Sequence, residues 1–157
     1  MSAISMRSLT FLAKGDSMRE IKFRGKSKRT GSFIYGDLLT SPNGLLRYIV
    51  QKKLKDDKEF WVNLQEEEVD YDTLGECTGL HDKNGKEIYE GDILDVDGHK
   101  RLCKVIWFAP QACFDTVAIK VLDERTAFRG LKNGDWSYRT EIIGNDYDNP
   151  ELLKKES

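Results

Sequence analysis

The stretch LGECTGLHDKNGKEIYEGDILDV, residues 74–96, decides how the rest of the chain is read. Thr73, Gly75 and Cys77 alternate with Leu74, Glu76 and Thr78, the period-two pattern of a strand with two unlike faces. Asp82-Lys83-Asn84-Gly85 supplies turn residues, and Asn-Gly accommodates the positive φ angles that a tight hairpin turn demands. Ile88, Tyr89, Ile93, Leu94 and Val96 bring the β-branched and aromatic content of a returning strand. Gly91-Asp92 interrupts that run and predicts a bulge or sharp bend before Ile93.

Outward from this hairpin the pattern stays β. Upstream, Ile21 and Phe23 alternate with Glu20, Lys22 and Arg24; residues 25–31 form a basic loop and 33–39 a return strand. Ser41-Pro42-Asn43-Gly44 is a further turn before a strand at 45–50. Residues 52–58 read as a charged tip, 59–62 as a short strand, and Glu66-Glu67-Glu68-Val69-Asp70 as an acidic connector. Downstream, strands are expected at 101–108 and 114–122, broken by Ala109-Pro110-Gln111 because proline cannot donate to a ladder. Residues 123–129 fit a loop or one helical turn, Asn133-Gly134-Asp135 a turn, and 137–144 a last strand. Asn149 is placed to cap a one-turn helix with Pro150 at its first position. Thr30-Gly31 to Leu39 echoes Asn84-Gly85 to Leu94, which is what two turn-rich hairpins share by composition; a pseudo-repeat is the other reading.

Three separated motifs carry a family resemblance. TGLHDKNGKEIYEGDIL, the opening MREIKFR from Met18, and the ending EIIGN with NPELL closely resemble the signature of the YopX family of small phage and prophage proteins. The resemblance spans roughly residues 18–153. It implies a mainly β fold, a small SH3-like barrel built from hairpins with additional N-terminal strands and little helix, in a bacterial or phage-infected cytoplasm. It brings no catalytic or binding residues to carry over. Residues 1–17 are expected to be a disordered extension, and 18–157 a single domain with N-terminal strands over 18–72 and the barrel core over 73–153.

A chain of 157 residues is long enough for a real core, and its aromatic content with only 3 prolines argues against disorder throughout. No apolar run approaches the length of a membrane span, and the patch at residues 9–13 is too short for a signal peptide. Net charge is −2, but it is unevenly spread: +9 over residues 1–55, −12 over 56–99 and +1 over 100–157. Either the basic and acidic segments face each other, or they act on nucleic acid or on other copies of the chain.

Candidate chemistry is sparse. Cys77, Cys103 and Cys113 contain no CxxC pair on which zinc could build. Asp92, Asp95 and Asp97, near Glu87, Glu90 and His99, raise a metal-dependent hydrolase, but strand alternation puts Asp95 and Asp97 on one face and Asp92 elsewhere. Asp82-Lys83-Asn84-Gly85 has its glycine too early for a calcium loop. Cys77, His81 and Asp82 are neighbours in sequence only, and no phosphate-cradling glycine loop occurs. No catalytic residue, metal or cofactor is expected. The best functional lead is the basic stretch Lys22, Arg24, Lys26, Lys28 and Arg29, interleaved with Phe23 and followed by Phe33 and Tyr35, which suits nucleic-acid strands. Trp61, Trp107 and Trp136 with Tyr48, Tyr89 and Tyr138 suit a peptide groove, a core or a subunit interface. The leading expectation is a non-enzymatic accessory protein that binds a partner and self-associates as a homo-oligomer, with nucleic acid as the alternative ligand.

Overall fold

The Asn84-Gly85 turn forms where its chemistry puts it. In the computed structural model of the chain, which describes residues 20–54, 62–122 and 139–154, Gly85 sits at φ +79° and its N–H donates to the Asp82 carbonyl at 2.9 Å. The turn joins β5 (Gly75–His81) to β6 (Glu87–Tyr89), with Cys77 opposite Tyr89 and His81 opposite Glu87. The expectations for residues 1–17, Trp61, 123–129, the Asn133-Gly134 turn, Trp136 and Tyr138 lie outside the described residues.

Ten strands and three short 3-10 turns make up the described chain. The remaining strands are β1 (Phe23–Lys26), β2 (Phe33–Thr40), β3 (Arg47–Leu54), β4 (Val62–Glu68), β7 (Asp92–Val96), β8 (Arg101–Phe108), β9 (Cys113–Val121) and β10 (Thr140–Asn145). They pair antiparallel in two sheets, one ordered β4-β3-β2-β1-β5-β6 and the other β10-β7-β8-β9. The fold is therefore mainly β, as expected, but the described strands do not close into a barrel.

Gly91 marks the break between the sheets. The predicted single returning strand is cut in two at this residue, with β6 completing the first sheet and β7 starting the second. Gly91 takes φ +85°, and a Cβ there would come within 2.8 Å of an Asp146 carboxylate oxygen. Its N–H donates to the Val105 carbonyl at 3.0 Å and its carbonyl accepts from the Asp146 N–H at 3.0 Å. Only glycine permits that backbone angle without strain. The chain crosses between sheets there instead of curling one sheet round on itself. The sheet boundary thus falls at residue 91; β1 pairs with β5 through Phe23 and Glu76, across the expected internal division at 72/73.

Two further expectations change. The acidic connector is strand: Glu66, Glu67 and Glu68 lie in β4 opposite Val50, Ile49 and Tyr48. Two of these three adjacent carboxylates meet loop cations, Lys28 meeting Glu68 at 2.5 Å and Arg29 meeting Glu67 at 3.0 Å. At the C-terminal end, residues Pro150–Leu153 do form a single 3-10 turn, but the Asn149 side chain does not cap it. It instead accepts backwards from the Asn145 N–H at 3.3 Å. The echo with residues 30–39 also stops short, since Gly36-Asp37 lies inside β2 with no sheet crossing.

The core gathers where the sheets meet. Ile88 of β6, Leu94 of β7, Val105 of β8 and Phe114 of β9 pack together, with Leu80 and Ile142 against them. Every residue of β7 is buried. Burial of each large apolar side chain contributes about 1.5–3 kcal/mol, so the hairpin's second half holds the domain together.

Candidate functional site

Arg24 leaves β1 to cross the junction between the sheets. Its Nη1 lies 2.6 Å from the Asp92 Oδ1, and its Nη2 donates to the Glu90 carbonyl at 3.2 Å. The guanidinium carbon stands 4.8 Å from the Phe33 ring centroid and 5.1 Å from that of Tyr89, both within cation–π range. Asp92 in turn accepts the Tyr89 N–H at 2.8 Å. Arg24 is 6% exposed and Asp92 1%. Burial pushes the Asp92 carboxyl up; the Arg24 charge and the Tyr89 N–H pull against it without cancelling it. The Arg24 Nε is buried with no hydrogen-bond partner, so this clamp is tight but not fully satisfied.

Around the clamp the sequence's charge asymmetry resolves into pairs. Lys22 meets Glu87 at 2.5 Å, Lys26 meets Asp148, and Lys28 and Arg29 meet Glu68 and Glu67. All five cations of the nucleic-acid lead therefore have carboxylate partners, four of them in the acidic segment 56–99. The Glu87 hydrogen bond raises Lys22, and the same bond lowers Glu87 against its burial. The stretch does not form one continuous basic surface: Arg24 is buried, while Lys28 and Arg29 stand 54% and 75% exposed at the loop. Phe33 packs under Arg24 and Lys26, and Tyr35 meets Tyr89 edge-on at 5.4 Å.

The acidic run separates as strand geometry requires. Asp92 faces Arg24; Asp95 holds His99, Nδ1 to Oδ2 at 2.9 Å; Asp97 holds Arg139 through two hydrogen bonds of 2.9 and 2.5 Å. Among the described residues no group of three His, Cys, Asp or Glu side chains is placed to hold a metal. Burial raises Cys77 and pushes Cys103 up to about 11, away from the reactive thiolate.

What the sequence did not single out is a groove beside the clamp. A cleft of ≈ 210 Å³ is lined by Asp72, Leu74, Glu90, Gly91, Lys104 and Asp146, among others. Asp72 comes from the 3-10 turn Tyr71–Thr73, whose start the Asp70 carboxylate caps by accepting the Asp72 N–H at 3.2 Å. Lys104 and Asp146 pair at 2.6 Å across the second sheet. These residues are scattered from 72 to 146, and no local pattern announces that they converge.

Fold and site together define a small antiparallel protein of two sheets, pinned at their junction by a buried arginine–aspartate pair. The chain belongs to the YopX family: the family model described as YopX protein matches residues 22–154. Among solved structures, the crystal structure of protein EF1440 from Enterococcus faecalis is similar, with a TM-score of 0.53 and 23% identity. The alignment covers 87% of this chain and 100% of that one, and at such identity it speaks for the fold alone. No protein with a curated description matches the sequence. No helix among the described residues is long and apolar enough to cross a membrane.

Proposed function

We propose that this chain is a non-enzymatic phage or prophage accessory protein of the bacterial cytoplasm that acts by binding and self-associates. The observation that carries self-association is the outer edge of the second sheet. Among the described residues β9 is the last strand of that sheet, and Val117 on it and Leu122 just past it are 51% and 57% exposed. Exposed apolar side chains on an outer strand offer a surface to another chain. Two copies meeting edge to edge form a closed, two-fold interface. The phage setting rests on the family resemblance.

Light scattering after size exclusion tests it. The wild-type chain should elute as an oligomer free of nucleic acid, and Val117→Lys should shift it to a monomer, because charge on an edge strand opposes pairing. A wild-type monomer at every concentration tried removes the reading.

Nucleic-acid binding by Lys22, Arg24, Lys26, Lys28 and Arg29 is the second reading, favoured by the outward reach of Lys28 and Arg29. It predicts affinity that falls steeply with salt and drops when Lys26, Lys28 and Arg29 are all changed to Ala. An unchanged affinity in that triple variant would discard it.

A further inference from the structure

The narrow cleft does not end at Asp72, Leu74 and Glu90. The same three residues line a wider one, ≈ 560 Å³, which opens over the first sheet beside Phe23, Leu38 and Tyr71. The two share these residues and form one groove, with Phe23, Leu38 and Tyr71 set among charged side chains at its wide end and Lys104 and Asp146 at its narrow end.

Ion pairing decides the sign of that charge. Asp146 neutralises Lys104 and Asp92 neutralises Arg24, each at 2.6 Å. The Asp72 and Glu90 carboxylates, where the clefts join, have no cationic partner among the described residues. Negative potential reaches Tyr147 at the far end, where burial and the charges of Asp146, Asp72 and Asp70 all push the phenol up. At the wide end the Arg47 cation, over the Tyr71 ring at 5.1 Å from its centroid, and the Glu76 carboxylate also line the groove, so the negative character is concentrated where the two clefts join.

We propose that this groove binds a basic, extended segment of a partner protein, with one arginine or lysine side chain held between Asp72 and Glu90. Two uncompensated carboxylates in a walled cleft focus their field on an incoming cation. They also give charge-assisted hydrogen bonds stronger than neutral ones. The narrow cleft is smaller than the roughly 300–1,000 Å³ of small-molecule pockets and suits a single long side chain. Tyr147 offers an aromatic face beside that cation. Apolar residues next to the cation have Phe23, Leu38 and Leu74 to rest on. Phosphate-bearing ligands are disfavoured by sign.

Fluorescence anisotropy on the full chain tests this, using a labelled short peptide of alternating arginine and leucine. The wild-type protein should bind it, and Asp72→Asn with Glu90→Gln should weaken binding at least tenfold. Glu66→Gln, an acidic change outside the groove, should leave binding unchanged. Amide resonances of Gly75 and Gly91 should move on titration of the wild-type protein, a readout that needs no variant to fold. Three results would each overturn the proposal. The Glu66→Gln loss could equal the groove loss; a glutamate–leucine peptide could bind as well; or the amide shifts could gather on β9. If the groove variants dissolve an oligomer while the arginine peptide fails to bind, the occupant is a second copy and the partner assignment falls. Val117→Lys leaves the groove intact, so self-association and peptide binding fail or stand separately.

Discussion

Arg24→Ala should destabilise the folded chain by about 3–5 kcal/mol, the range for removing one partner of a buried ion pair. The loss is large because of what remains behind. Asp92 is 1% exposed, and without Arg24 little but the Tyr89 N–H opposes the rise that burial imposes on its carboxyl, so the core must hold either an unpaired charge or a newly bound proton. The Glu90 carbonyl would lose its donor, and Phe33 and Tyr89 the flat cation that packs on them. Urea unfolding of wild type and variant measures the difference. A double variant, Arg24→Met with Asp92→Leu, should recover part of the stability, since apolar groups of similar volume often replace a buried pair at little cost, while the Tyr89 N–H and Glu90 carbonyl left without partners keep it below wild type. A loss below about 1 kcal/mol for Arg24→Ala would mean the pair contributes no more than an exposed one.

Asp82→Ala should cost about 3 kcal/mol, for a different reason. One carboxylate, 4% exposed, accepts three backbone N–H groups: Asn84 and Lys86 at 2.9 Å on one oxygen, and Ile142 at 3.1 Å on the other. Two of these shape the hairpin turn and the third ties it to β10 in the other sheet. Hydrogen bonds to a charged group contribute about 1.5–3 kcal/mol each, and an orphaned buried donor about 1–3; partial re-solvation of the turn keeps the sum at the low end. Burial would raise this carboxyl, but the Ile142, Lys86 and Asn84 N–H groups outweigh it and hold it below its ordinary value. A depressed folded pKa stabilises above the unfolded value, about 3.9, and the contribution is lost as pH falls through the folded value. The stability gap between wild type and Asp82→Ala should therefore stay flat from pH 8 down to about 5 and shrink below about 4. A gap independent of pH down to 2 would show that the bonds do not depend on the charge.

These two residues also explain why the family signature identifies a fold so readily and a task so poorly. Asp82 builds the turn, Gly85 closes it, Gly91 passes the chain between sheets and Asp92 receives Arg24. Each is needed by the architecture. The groove draws Glu90 and Gly91 from the signature, but Asp72, Lys104, Asp146 and Tyr147 come from outside it.

The chain's local conformations were determined by sequence alone. Asn84-Gly85, Ser41-Pro42-Asn43-Gly44 and Ala109-Pro110-Gln111 turn or break the backbone through sterics confined to a few neighbouring residues. Alternation around Phe23 and Cys77 marked strands for the same local reason. Tertiary structure alone decided that β6 and β7 enter different sheets, since that depends on Val105 and Asp146 meeting the backbone of Gly91. It alone turned Glu66, Glu67 and Glu68 from a solvated connector into an edge strand, by bringing Lys28 and Arg29 alongside. And it alone showed that the basic segment is matched against carboxylates, Lys26 finding Asp148 from 122 residues away. Charge and turn propensity are properties of short segments. Which charge meets which is set by the packing of the whole chain.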